Sequence, residues 1–183
     1  MIKKIIAKNF KVSNWSGGST RELYIFPEDS SYADRNFNFR LSIATTEEEE
    51  STFTSLPNVN RFLSILEGEL FLEHENRYSR TLSKFEIENF DGSWITKAKG
   101  KVIDFNLMLK NCNGSLNFKE FLEVSDIEIK NQEFIVIYCI DGNITINGNI
   151  INKNEIIVAR KENILLSSEY SKIFIAEIYD LKK

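Results

Sequence analysis

The sequence predicts an all-β protein on three grounds: apolar residues recur at every second position, no window sustains a helical stripe for three turns, and one strand–turn–strand unit occurs twice. Phe37-Asn38-Phe39-Arg40-Leu41-Ser42-Ile43-Ala44 alternates, with Phe37, Phe39, Leu41 and Ile43 on one face and Asn38, Arg40, Ser42 and Ala44 on the other. Residues 61–66, 70–73, 102–109, 134–140 and 173–179 are further short runs rich in Ile, Val, Phe and Tyr, which suit a pleated surface. The repeated unit is Ile65-Leu66-Glu67-Gly68-Glu69-Leu70-Phe71-Leu72 and Cys139-Ile140-Asp141-Gly142-Asn143-Ile144-Thr145-Ile146. In each copy an apolar run meets an acidic-Gly pair and then a second alternating run, the pattern of a tight hairpin. Two such units in tandem suggest a duplicated barrel or jelly roll, with the Asn-rich stretch 110–119 as the crossover between halves.

Composition narrows the function classes. The chain has 183 residues, enough for one domain or two small packed halves, and 42% hydrophobic residues with 12% aromatics can form a real core. Lys and Arg total 23 against 27 Asp and Glu, a net charge of -4, so the basic footprint of a nucleic-acid binder is missing. No apolar run approaches the roughly 20 residues of a membrane-spanning helix. The opening Met1-Ile2-Lys3-Lys4-Ile5-Ile6-Ala7-Lys8 lacks the apolar core of a signal peptide. Two cysteines, Cys112 and Cys139, read as reduced thiols. The expectation is a soluble cytoplasmic protein, monomeric or homodimeric, without nucleic-acid or membrane partners.

Several strings in fixed order resemble the HutD/Ves family of bacterial cupin-type proteins. They are Trp15-Ser16-Gly17-Gly18-Ser19-Thr20-Arg21-Glu22, Phe39-Arg40-Leu41-Ser42-Ile43-Ala44, Phe53-Thr54-Ser55-Leu56-Pro57-Asn58-Val59-Asn60-Arg61, Leu66-Glu67-Gly68, Phe90-Asp91-Gly92 and Asp104-Phe105-Asn106-Leu107-Met108. The resemblance implies a double cupin (an RmlC-like jelly roll) of two β-barrel halves in one unit spanning 1–183. The first half would run to about 110, and the second from about 120 to 183. It also implies a link to histidine utilisation, through binding of an acidic intermediate such as formylglutamate, and it brings no established reaction. The chain departs from the family pattern at Ser16 and Ser19 beside the glycines, at Asn60, where the family favours Asp, and at the Glu47–Glu50 run.

Many cupins hold a metal with histidines and a carboxylate. Here Gly68 is followed six residues later by His74, the sole histidine, and Asn76 stands at the next ligand position. One imidazole with amide neighbours is a poor cage, so neither metal nor other cofactor is expected, and His74 reads as a partly exposed hairpin residue.

The polar candidates follow from alternation. Arg40 and Ser42 share one strand face, and Asp104, Asn106 and Met108 share another. In a cupin one face lines the lumen, which groups Arg40, Ser42, Asp104 and Asn106 there. The competing reading pairs Arg40 with Asp104 as a buried ion pair that only sets register. Arg61, after the Pro57 turn, is placed at the rim. Two guanidinium forks favour a carboxylate ligand. Glu22 or Thr20 is expected to reach the pocket edge, with Arg21 tying the strand down and Trp15 acting as a packing anchor. Nucleophilic catalysis has no visible triad around His74, Cys112 or Cys139. The leading expectation is a non-catalytic binder of a small carboxylate or amino-acid catabolite, with Glu22, Arg40, Ser42, Arg61, Asp104 and Asn106 as its site. The alternative is a metal-free isomerase or hydrolase with Asp104 or Glu22 as base.

Overall fold

A computed structural model describes residues 1–130 and 132–182. Strands dominate, and the one helical element among the described residues is a 3-10 turn at Ala7–Asn9. The chain divides into two compact units: residues 11–111, and residues 112–183 together with residues 1–10. The N-terminal strand β1 (Ile2–Ile5) therefore belongs with the C-terminal residues rather than with those that follow it.

The unit of residues 11–111 contains two antiparallel sheets. In chain order its strands are β2 (Lys11–Trp15), β3 (Gly18–Phe26), β4 (Phe39–Thr46), β5 (Glu50–Thr52) and β6 (Asn60–Glu67). These are followed by β7 (Leu70–His74), β8 (Tyr78–Leu82), β9 (Ile87–Asp91), β10 (Thr96–Lys99) and β11 (Val102–Leu109). A six-stranded sheet runs β2-β3-β4-β11-β6-β9 and a four-stranded sheet runs β5-β10-β7-β8. Leu63, Ile65, Phe90 and Val102 of the first pack with Leu70, Leu72, Leu82 and Ala98 of the second in one buried cluster. Burying a side chain of this size contributes about 1.5–3 kcal/mol. The apolar filling covers only part of the inner face of the larger sheet; the rest is polar and holds the candidate site.

The other unit has a largely apolar interior, in which the buried Ser168 and Ser171 hydroxyls bond to each other. Its strands are β12 (Asn113–Phe121), β13 (Ser125–Ile129), β14 (Phe134–Ile146), β15 (Asn149–Asn152), β16 (Ile156–Arg160), β17 (Ile164–Ser168) and β18 (Ser171–Tyr179). Ile135, Ile137, Ile144, Ile157, Ile164 and Ile173 sit at its centre. β1 pairs with β16, with Ile2 opposite Ala159, and Ile2 packs on this core. The expected crossover at 110–119 is much shorter, because β12 already begins at Asn113.

The repeated acidic-Gly unit folds differently from a hairpin. β6 pairs with β11 and β9, whereas β7 pairs with β8 and β10. Glu67-Gly68 therefore turns the chain from one sheet to the other. In the second copy β14 runs on through Asp141-Gly142. It pairs with β16 and β18 before the bend and with β15 and β17 after it, with a register break between Cys139 and Asp141. Both glycines have the positive φ that only glycine adopts without strain, +86° and +75°. Both are also crowded: an added Cβ would lie 2.6 Å from the Lys101 carbonyl oxygen at Gly68 and 2.2 Å from that of Tyr170 at Gly142. Gly68→Ala and Gly142→Ala should each lower unfolding free energy by more than about 1 kcal/mol in urea titrations, since strain and backbone overlap combine. Unchanged midpoints would show that these corners can relax.

Candidate functional site

Strand register brings the polar candidates side by side. Ser42 of β4 lies opposite Asn106 of β11, Ala44 opposite Asp104, and Arg40 opposite Met108. On the far side of β11, Met108 faces Arg61 and Asn106 faces Leu63 of β6. Glu22 of β3 lies opposite Ser42. Because alternate strand residues share a face, all six candidates project to the same side of the sheet. The alternation in β3 then breaks: the register shifts between Glu22 and Tyr24, so Leu23 is an extra residue and Ile25 comes opposite Arg40.

That face borders a cavity of about 410 Å³, within the range of small-molecule sites. Arg40, Ser42, Arg61, Asp104 and Asn106 line it, as do Thr20, Trp15, Tyr32, Phe53 and Met108. Glu22 supports it by way of Arg40: Arg40 Nε donates to Glu22 Oε2 at 2.7 Å and Nη1 to Ser42 Oγ at 3.0 Å. The Arg40–Asp104 pair of the competing reading does not form. The side-chain reach of Arg40 along its own sheet face meets Glu22 first, and removing that partner from a buried guanidinium would cost about 3–5 kcal/mol.

Arg61 is not a rim residue. It is only 6% exposed, with its guanidinium carbon 4.7 Å from the Phe53 centroid and 5.3 Å from that of Phe90. Nη2 donates to Asn106 Oδ1 at 3.0 Å, and Asn106 Nδ2 donates in turn to Asp104 Oδ1. One carboxamide thus joins a cation to an acid. Arg61 forms no ion pair among the described residues, and its buried Nε has no hydrogen-bond partner. Burial lowers its pKa to about 10, so it stays charged near neutrality. Burial likewise pushes the Asp104 carboxyl up to about 7, against the pull of Arg61 and the Asn106 hydrogen bond.

Two aromatic residues complete the walls. Trp15 is 41% exposed at the edge of the cavity and donates Nε1 to Thr20 Oγ1 at 3.3 Å, so it borders the site as well as packing. Its ring needs the glycines beside it, since a Cβ on Gly17 would come 2.3 Å from Trp15 Cζ3. Tyr32 sits in the connection between β3 and β4, with the Arg35 and Arg40 guanidinium carbons 3.7 and 4.5 Å from its ring centroid. No periodicity marks Tyr32 in the sequence, because its place is set by the return of a long connection rather than by a strand. Arg21, expected to tie down the edge, makes no side-chain hydrogen bond or ion pair among the described residues.

His74 is buried, at 1% exposure, rather than half-solvated. It is enclosed by Tyr78, Phe90 and Trp94, with centroids 4.9, 4.8 and 5.2 Å away, and Nδ1 is hydrogen-bonded to Thr96 Oγ1 at 2.8 Å. Burial lowers its pKa. Nearby Glu88 is buried and engaged by Tyr78 at 2.5 Å and Arg80 at 2.7 Å, and its Oε1 stays 3.9 Å from His74 Nε2. A cupin metal centre does not fit these residues. Among the described residues no three His, Cys, Asp or Glu side chains converge, and the lone imidazole faces aromatic rings instead of further ligands.

Comparison with known proteins agrees with this architecture. Residues 7–176 match the model of the HutD family. Protein Ves of Escherichia fergusonii is 34% identical over 113 residues, covering 58% of this chain and 56% of that protein, so the match spans little more than half the length of this curated relative. The solved structure of HutD from Pseudomonas fluorescens SBW25 superposes with a TM-score of 0.80 at 18% identity over 98% of both chains. That of the bacterial pirin YhhW from Escherichia coli, in complex with nickel(II), does so at 0.73 and 12% identity over 97% of this chain and 98% of that one. The fold is that of the cupin-type proteins. No helix among the described residues is long and apolar enough to cross a membrane.

The raised Asp104 carboxyl has a consequence for stability. Unfolded, the group ionises near pH 4; folded, near 7. The folded state therefore holds a proton that the unfolded state has lost, and stability falls as pH rises from about 4 through 7, levelling above that. Asp104→Asn removes this loss. Its melting temperature relative to the unmodified protein should rise between pH 4.5 and 7.5, and a constant difference across that range would show that the carboxyl titrates normally.

Proposed function

The chain belongs to the HutD family, and on that premise we propose that its polar cavity binds a small carboxylate without turning it over. The observation that carries this reading is Arg61: a buried guanidinium in a cavity wall, with no ion pair and an unpartnered Nε. A buried unpaired charge is costly, and a carboxylate supplies both the countercharge and paired acceptor oxygens. A charge-assisted hydrogen bond contributes about 1.5–3 kcal/mol, so two of them with aromatic contact support micromolar affinity. Arg40 is the lesser of the two guanidiniums, since Glu22 already meets its charge. If the bound acid were an intermediate of amino-acid breakdown, the link to histidine utilisation that the resemblance implies would follow from this pocket.

Asp104 favours one second reading, an enzyme without metal. A carboxyl ionising near 7 inside a ligand-sized cavity suits proton transfer, and conversion of the bound acid to product would promote that alternative.

A thermal-shift panel of amino-acid catabolites, hydroxy acids and simple mono- and dicarboxylates tests the binding. At least one acid should raise the melting temperature of the unmodified protein, and Arg61→Gln should lose the shift. No stabilisation by any acid, or a shift indifferent to Arg61→Gln, removes the proposal. An anion beside Asp104 also favours its protonated form. Affinity should therefore be greatest below pH 7 and fall as Asp104 ionises above it, which titration calorimetry at pH 5.5 and 8.5 would read.

A further inference from the structure

Resting on the carboxylate reading of this same cavity, its lining points further: we infer that the ligand is a polyhydroxylated monocarboxylate, an acid of the sugar type.

Charge sets the first constraint. Arg40, Arg61 and Asp104 are the lining residues whose side chains are charged near neutral pH, and Arg40 is already neutralised by Glu22 at 2.7 Å. That leaves one cation, Arg61, to receive one carboxylate. A second carboxylate on the ligand would find no further cation and would lie in the same small space as Asp104. The cavity suits a single negative charge.

Hydroxyl groups set the second. Thr46 of β4 and Ser51 of β5 line the cavity on the inward faces of their strands, Ser51 beside buried Ala98 of β10, and neither side chain makes a hydrogen bond among the described residues; Thr52 and Thr54 contribute only at its exposed margin. Each hydroxyl offers one donor and two acceptor sites, so these two side chains stand ready for polar groups of either kind. Ser42 and Thr20 each accept a single bond, from Arg40 and Trp15, and keep donor capacity. An alkyl chain would strip water from these groups and return nothing, whereas a chain or ring of hydroxyls replaces that water one for one. Only Ala44 and Met108 supply aliphatic lining.

The aromatic residues set the third. Trp15, Tyr32 and Phe53 border the same space, and their flat faces suit the C–H faces that a polyhydroxylated ring or chain presents between its hydroxyls.

A matched set of six-carbon acids separates these constraints. Isothermal titration at pH 6 would use D-gluconate and D-galacturonate (one carboxylate, many hydroxyls), hexanoate (one carboxylate, none) and adipate (two carboxylates, none). One of the sugar acids should bind at least tenfold tighter than both hexanoate and adipate. The double variant Thr46→Val/Ser51→Ala should weaken that binding at least fivefold while leaving hexanoate within twofold. Hexanoate or adipate matching or exceeding both sugar acids on the unmodified protein would overturn the inference and leave the carboxylate reading standing. Failure of every acid in this set and in the wider panel, or binding unchanged by Arg61→Gln, would remove both.

Discussion

The burial of Arg61 is the constraint around which the unit of residues 11–111 is arranged. A guanidinium taken out of water must be compensated locally, and here the compensation is distributed. Phe53 and Phe90 cover its planar faces, Asn106 accepts one N–H, and Asp104 provides a carboxyl one amide away. None of these cancels the charge outright. The same low-polarity surroundings lower the basicity of Arg61 and raise the carboxyl of Asp104, so both halves of the linked group report one cause. The result is a wall with an acceptor deficit at Arg61 and a proton that can come and go at Asp104.

Packing between the two sheets explains why such a wall can exist at all. Leu63, Ile65, Leu70, Leu72 and Val102 close one end of the space with a dry cluster, and that cluster holds the sheets at a fixed separation. Toward the other end the inward residues become Arg40, Ser42, Asp104 and Asn106, which do not fill the gap. The second unit shows the contrasting outcome on similar strands: its interior is Ile-rich, and the corresponding space is packed. His74 belongs to the closed end. Ringed by Tyr78, Phe90 and Trp94, it contributes to the wall behind Phe90, on whose ring Arg61 also rests.

The relatives place this architecture among cupin-type proteins, in which a metal often sits where side chains converge between sheets. In this chain that role has no donor set among the described residues. The polar side chains that line the cavity carry guanidinium, carboxamide and hydroxyl groups, whose charge and geometry suit organic anions better than metal ions.

Much of this was readable from residue order alone. Period-two alternation determined the strands at 102–109 and around Arg40, and with them which residues share a face, because side-chain direction in a strand follows the backbone pleat. Alternation groups Arg40 with Ser42 and Asp104 with Asn106, and the resemblance to cupins turned both of these faces inward. What residue order could not determine was which side chains meet across strands and connections. Arg40 pairs with Glu22 rather than Asp104 because of register between β3 and β4; Arg61 is buried rather than marginal because two phenylalanines from distant segments close over it. Tyr32 enters by a connection with no period to read, and the acidic-Gly pairs turn between sheets instead of closing hairpins because their neighbours pair elsewhere. Local chemistry determines the direction a side chain faces; only the tertiary structure decides its partner, since that depends on contacts between residues far apart in the chain.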